Sequence, residues 1–399
     1  MSRLDISILP PHPPSAGYDR SLARGSIADD FQRRLEPANF NPGFFAALIQ
    51  RTEHALADTP GVPELRYQLA FLLLQNNTSP ALVERAAELL THNPHPGTER
   101  LQTLIDGMRQ RTAKAATAGP GQVRRVNWSI HNRCPMACRG CYNAFVDGQV
   151  TYDQATVIVD KLAAHGVMDV VLAGGDPLLW TPVLDVIDHA VGAGLKVALD
   201  TTGYTLTEER LTRLGRLASL RLPLDGTTPQ IQRAFRRSKD RHLTRALNES
   251  LDLCDRTGFH KVRVHTVASR ANLHDLAAIA DNVLRHDCVR QWVVFQWWDR
   301  RATAALREEL HIDADSIRAE ITRIKEKYPE ADIVLADTAV REFLNWMILS
   351  SGQVVTFGSG PDEEFILGNL LTDDITTIAG HPILDHQAMN RGMPVTPRR

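Results

Sequence analysis

Between Arg125 and Gln296 the chain alternates short apolar runs with amphipathic segments, and this alternation limits the fold more than any other feature. The runs are Val126–Ile130, Val170–Ala173, Val197–Asp200, Leu220–Leu224, Val262–Val267 and Trp292–Gln296. Helical patterns fall between them at Tyr152–His165, Pro182–Ala193, Thr207–Leu217, His242–Arg256 and Leu273–Arg285. Parallel neighbours need a long crossover, usually a helix, so six such units in series predict an α/β fold with a parallel sheet. Periodicity leaves two closures open, a partial (β/α)6 barrel and a doubly wound sheet. Beyond Arg301 the pattern predicts a helix at Asp313–Tyr328, a strand at Ile333–Ala336, a helical Val340–Leu349, and a small hairpin from Val354–Phe357 and Phe365–Leu367.

The segment ahead of this core reads differently. Residues 1–40 carry Pro10, Pro11, Pro13 and Pro14 and a polar stretch, the composition of a poorly ordered segment. Residues 41–118 then read as a helical accessory domain. Asn41-Pro42 starts one helix, a second runs from about Pro63 through Leu73, Ser79-Pro80 starts a third, and a fourth covers roughly Gly97 to Ala116. Gly119-Pro120-Gly121 ends the series. The expected organisation is this helical domain, a barrel over 122–301 and a small C-terminal extension over 302–399. The accessory domain reads as a packing or partner-recruiting appendage, or as a lid over the core.

A chain of 399 residues, 43% hydrophobic and 23% charged, can bury a large core. A formal charge of −2 gives no global basic field, which argues against nucleic acid as a partner. No apolar run reaches the length of a bilayer span, and Met1–Pro14 lacks the layout of a secretion signal. Five cysteines do not make a disulfide scaffold, and the expectation is a reduced, cytoplasmic protein.

Three of those cysteines, Cys134, Cys138 and Cys141, share one loop just after the first strand, with C-x3-C-x2-C spacing. Loops at the carboxyl ends of parallel strands build active sites. Three thiolates there can hold three corners of a [4Fe–4S] cube and leave its fourth iron open. His131 stands three residues ahead, so a closed tetrahedral zinc site is the competing reading, and buried inert cysteines are a third. The second strand then ends in Gly174-Gly175-Asp176-Pro177. Two glycines allow close backbone approach, and an acid beside them can receive an ammonium group.

Taken in this order, the motifs resemble the radical S-adenosylmethionine (SAM) superfamily. Cys134, Cys138 and Cys141 match its cysteine triad, and Gly174–Pro177 matches its "GGE" stretch with Asp176 in place of glutamate. Thr201-Thr202-Gly203 resembles the "TNG" stretch, and Leu224-Asp225-Gly226 resembles "SLDG", with Pro223 where a serine often stands. Gly140 occupies the position before the third cysteine that is commonly aromatic, and Tyr142 follows it instead. The resemblance covers residues 124 to 300. It implies a cluster on the three cysteines and SAM against Gly174, Gly175, Asp176, Pro177, Tyr142 and Thr202. It also implies an electron from a flavodoxin- or ferredoxin-like donor and a 5′-deoxyadenosyl radical that abstracts hydrogen from substrate.

The substrate is read from other residues. Val264–Val267 with Asn272-Leu273, and the strand ending Trp292–Trp297, resemble a branch containing viperin-like nucleotide enzymes and relatives of the molybdopterin-precursor cyclases; Ser351–Val354 and Gly368–Leu370 resemble the tail of that group. Arg236, Arg237, Lys239, Arg241 and Arg245 follow strand four, and Arg300 and Arg301 follow strand six. Arginines there suit phosphate or carboxylate groups, and a solvated helix face is the alternative for the first set. Gln296 and Trp297-Trp298 could stack on a base or pack in the core. The substrate residues expected are Arg236, Gln296 and Arg300, with a small anionic substrate such as a nucleotide or nucleotide sugar. Modification of a peptide recruited by the N-terminal helices is the second enzyme reading, and a zinc-stabilised binding protein is the non-enzyme one. His265 reads as a core histidine and Cys254 as a buried inert thiol, while Cys288 stands before strand six, away from the chemistry. No cysteine follows Cys288, so a second cluster is not expected.

Overall fold

A computed structural model describes residues 42–74, 79–118, 123–139, 141, 143, 148–237, 243–298, 306–338, 346–358 and 364–389. Four helices come first: α1 (Pro42–Asp58), α2 (Pro63–Leu73), α3 (Pro80–Leu90) and α4 (Thr98–Ala118). Prolines at the first position of α2 and α3 cost no hydrogen bond, and the Ser79 hydroxyl accepts from Leu82 N to close the start of α3.

The alternating core follows: β1 (Arg125–His131), α5 (Tyr152–His165), β2 (Asp169–Gly174), α6 (Val183–Gly192), β3 (Lys196–Asp200), α7 (Glu208–Arg213) and β4 (Ser219–Pro223). It continues with α8 (Pro229–Phe235), α9 (Leu243–Arg256), β5 (Val262–Ala268), α10 (Leu276–Leu284), β6 (Val289–Gln296), α11 (Arg307–Leu310), α12 (Ala314–Lys327) and β7 (Ile333–Ala336). Local chemistry sets these bounds. Thr151 and Gln154 form a reciprocal capping box at the start of α5, and Gly166 ends that helix in the left-handed conformation.

Strands β1 to β7 lie side by side in chain order, every pair parallel. A doubly wound sheet reverses its strand order at a switch point, and this order never reverses. The closure left open by periodicity is therefore the barrel-like one. Along β5, Val262, Val264, Thr266 and Ala268 are buried while Arg263, His265 and Val267 on the opposite face are half-buried. Thr266 is fixed on the covered side, accepting a hydrogen bond from Trp292 Nε1 at 2.8 Å.

The C-terminal segment corrects one expectation. Residues 340–345 lie outside the described residues, but Met347–Ile348, expected to be helical, form strand β8, parallel to β1. β8 then pairs antiparallel with β9 (Gln353–Phe357), and β9 with β10 (Glu364–Asn369), so the expected hairpin extends the main sheet to ten strands. Burial explains the change. Trp346, Ile348 and Leu349 are wholly enclosed, and a helix would turn part of that run to solvent.

The N-terminal helices pack on this extension. Leu72 of α2 joins Met347, Leu349, Val355, Phe357 and Ile366 in one apolar cluster, and the Phe71 and Phe365 rings lie 5.5 Å apart. Arg111 of α4 donates to Pro382 O at 2.5 Å. Close by, burial and the positive Arg111 lower the His381 imidazole to about 3. The folded state takes that ring neutral, so its contribution is complete above about pH 6.5 and is lost as pH falls from there towards 3. From pH 7 to pH 5 the urea stability of the unmodified chain should fall by about 2 kcal/mol more than that of His381→Asn.

Candidate cluster and cofactor site

The site is assembled at the carboxyl ends of β1, β2 and β3. Strand β1 ends at His131, and the chain enters the cysteine loop directly. Gly174 and Gly175 lie against that entry. A Cβ on Gly174 would sit 2.4 Å from His131 O, and one on Gly175 would sit 2.2 Å from Arg133 O. Gly175 N donates to His131 O at 2.6 Å and Asp176 N to Arg133 O at 2.7 Å. The room freed by the glycines is thus taken by the stem of the cysteine loop, where the sequence reading expected a ligand to use it.

Asp176 is fully buried and caps the short turn Pro177–Leu179 by accepting from Leu178 N at 3.2 Å. Its carboxylate also accepts from Thr201 Oγ1 at 2.7 Å, from Thr202 N at 3.3 Å, and from Thr202 Oγ1. A carboxylate offers about four lone-pair sites, and all are engaged. Asp176 and Thr202 are therefore brought together, and the shorter acid ties the β2 turn to the end of β3.

The cysteine loop is held from its other side by the segment after β4. Ala137 N donates to Arg237 O at 2.6 Å and Arg139 N to Phe235 O at 2.8 Å. The Arg139 guanidinium forks onto the Glu309 carboxylate. Arg236 forms an ion pair with wholly buried Asp225 and reaches Cys138 Sγ at 3.9 Å. Asp225 is held in turn by Val267 N at 2.6 Å. Ser350 closes the remaining side: its hydroxyl accepts from Asn132 Nδ2 and donates to Gly148 O, both at 2.9 Å.

Burial pushes the Cys134 thiol well above its usual range, with Cys138 and Asp176 adding to the effect. Burial also pushes Cys138 up to about 12, against the pull of Arg236. Thiols buried in this way become thiolates only beside a strong cation, which is the role of metal in such a set. Among the described residues, no group of three donor atoms within 4.8 Å of one another includes these cysteines, so they are not gathered around a single ion. His131 is not gathered with the cysteines either: among the described residues no set of three donor atoms within 4.8 Å includes it, and its Nδ1 faces Gln149 Oε1 at 3.1 Å. The loop fits a larger inorganic centre with one corner left without a protein ligand.

Of the residues expected at the substrate, Arg236 and Gln296 are engaged within the fold, and Arg300 lies outside the described residues. The Arg236 guanidinium is committed to Asp225. Gln296 donates to Ile312 O at 2.8 Å and accepts from Thr338 N at 3.0 Å and Thr338 Oγ1 at 3.1 Å. Trp297 is buried in the core. Tyr142, Lys239, Arg241, Arg300 and Arg301 lie outside the described residues, as does the Arg245 side chain. Arg221 and Arg263, not singled out from the sequence, stand on half-buried strand faces, as does His265, expected in the core. Arg221 reaches Asp200 at 3.3 Å, and Arg263 and His265 share the uncovered face of β5. Burial, then Arg221 and Arg263, holds His265 well below the usual imidazole range, so the ring is neutral. Their signal was the break in hydrophobic alternation that Arg221, Arg263 and His265 make within otherwise apolar strands.

A sequential parallel barrel with a cysteine loop on its first strand and a glycine-acid turn on its second defines a class of metal-centre proteins. Residues 128–281 match the family model described as the Radical SAM superfamily. It is 27% identical over 190 residues to a PqqA peptide cyclase of Bradyrhizobium diazoefficiens, covering 44% of this chain and 48% of that one. It is 24% identical over 190 residues to an S-adenosylmethionine-dependent nucleotide dehydratase of Flammeovirga pacifica, covering 45% and 64%. Across the curated relatives first matched, the likeness spans about a fifth to two thirds of their lengths. The fold is similar to that of SuiB of Streptococcus suis, with a TM-score of 0.52 and 13% identity over 81% of this chain and 82% of that one.

Removing Arg236 strands a buried carboxylate. Arg236→Ala should cost about 3–5 kcal/mol of stability, while the double variant Asp225→Asn/Arg236→Gln, which buries no charge, should lose less; urea midpoints read both.

Proposed function

We propose that this chain is a radical SAM enzyme acting on a substrate that carries an anionic group. Cys134, Cys138 and Cys141 would hold a [4Fe–4S] cluster, and Gly174–Pro177 with Thr202 would line the methionine end of SAM. The observation that carries the reading is the set of three buried or half-buried thiols on one loop, pinned to the Gly174–Asp176 backbone. When bound, cluster and SAM supply, on one-electron reduction by a flavodoxin- or ferredoxin-like donor, a 5′-deoxyadenosyl radical that removes a hydrogen atom.

The protein's own part is placement. Asp176, its lone pairs engaged by Thr201, Thr202 and Leu178, fixes the rim at the ends of β2 and β3 against which the SAM ammonium would rest. Arg236 places a positive charge beside Cys138 and favours its thiolate. Arg221, paired with Asp200, and Arg263 flank neutral His265 on half-buried strand faces. The nucleotide dehydratase among the relatives supports a small anionic substrate. The PqqA peptide cyclase supports the second reading, a peptide substrate.

Anaerobic reconstitution should give brown protein with about four irons per chain, and alanine at Cys134, Cys138 or Cys141 should abolish both the colour and reductive SAM cleavage. Deuterated nucleotides and peptides, offered separately, should transfer label into 5′-deoxyadenosine from the true substrate class alone. Colourless protein that holds one zinc on this loop would defeat the proposal.

A further inference from the structure

A second set of metal-type donors lies at the other end of the barrel strands, independent of the cysteine loop. Cys254 and Asp255 occupy the last turn of α9, while His286 and Cys288 stand on the connector that enters β6. Asp255 Oδ2 is 2.6 Å from His286 Nδ1, and Asp255 Oδ1 accepts from Cys288 N at 2.7 Å. One donor atom from each of Asp255, His286 and Cys288 lies within 4.8 Å of the other two. The Cys254 thiol is in hydrogen-bond contact with that of Cys288. Both cysteines are free and wholly buried, and His286 is 5% exposed.

We infer that Cys254, Asp255, His286 and Cys288 form a closed binding site for a single divalent cation of the zinc class. Two sulfurs, one imidazole nitrogen and one carboxylate oxygen are a tetrahedral donor set for that ion. Thiols are weak hydrogen-bonding groups, so two of them buried against a carboxylate gain little from one another. Binding would release two thiol protons to solvent and move the imidazole proton to Nε2, leaving Nδ1 free to ligate.

The scaffold already fixes the donors. Phe259 N donates to Cys254 O at 2.9 Å, Val262 N to Cys288 O at 3.1 Å, and Val289 N to His286 O at 3.1 Å. The backbone at each of these residues is thus used by the fold; donor atoms of Asp255, His286 and Cys288 already lie together, and the Cys254 thiol, in contact with Cys288, would turn in to complete the set. A bound ion would clamp the α9–β5 connection to the α10–β6 connection.

The test uses the full chain with Cys134→Ala, Cys138→Ala and Cys141→Ala, in which Cys254 and Cys288 are the two remaining thiols. Titration with cobalt(II) should give one equivalent bound, with thiolate-to-cobalt charge-transfer bands and the visible bands of a tetrahedral centre, and zinc should displace it. Adding His286→Ala or Cys254→Ser should remove those bands, and the rise in melting temperature that zinc produces in the parent should vanish with them. A second measurement needs no substitution at the site: the reconstituted natural chain should contain one zinc beside its iron, with sulfur, nitrogen and oxygen in the zinc X-ray absorption spectrum. Cobalt bound without a thiolate band, less than half an equivalent of either metal, or a Cys254–Cys288 disulfide formed in air by protein that binds no metal would each overturn the inference.

Discussion

Gly174 and Gly175 leave no room for side chains because the carbonyl oxygens of His131 and Arg133 stand where their Cβ atoms would be. That contact lets two adjacent parallel strands continue side by side past the end of their regular pairing. The stem of the cysteine loop is therefore fixed before any cysteine is reached. Hydrogen bonds from Gly175 N and Asp176 N complete the junction, and Asp176 carries it on to Thr201 and Thr202 at the end of β3. Three strand ends are locked into one rigid rim by backbone approach and one carboxylate.

Charge is apportioned around this rim with care for burial. Asp225 and Arg236 are too deeply enclosed to stand alone, and each is tolerable because the other is present. The pair also brings a cation to Cys138. Arg236, expected at the substrate, is engaged with Asp225 and with the cysteine loop. Gln296 shows the same economy, since both ends of its amide are used to join β6 to Ile312 and Thr338. The cations on the half-buried strand faces are Arg221 and Arg263, and the arginines in the loop after β4 are another group.

The sequence rendered the local features well and the distant ones poorly. Cap residues such as Thr151, Gln154 and Gly166 set the ends of α5 from within one turn, and its bounds were legible residue by residue. Parallel strands were legible because each apolar run is followed by its own crossover helix. Met347–Ile348 were not, because their strand depends on Asn127 and Trp128, more than two hundred residues away. The cysteines and Gly174–Asp176 could be found by type and order. Ser350 could not: only the completed sheet brings its hydroxyl to Asn132. The partners of Arg236 and Gln296 were hidden for the same reason, as the distance of a guanidinium or amide from its acceptor is a property of the fold.

Leu72 and Phe71 on an early helix meet Met347, Val355 and Phe365 on the closing strands. During synthesis, the first helices emerge from the ribosome long before those strands exist. Their greasy flank must wait, exposed or shielded by a chaperone, while the barrel is made. Completion of the sheet and burial of that flank are then one late event, so the two halves of the polypeptide's history are joined in a single seam.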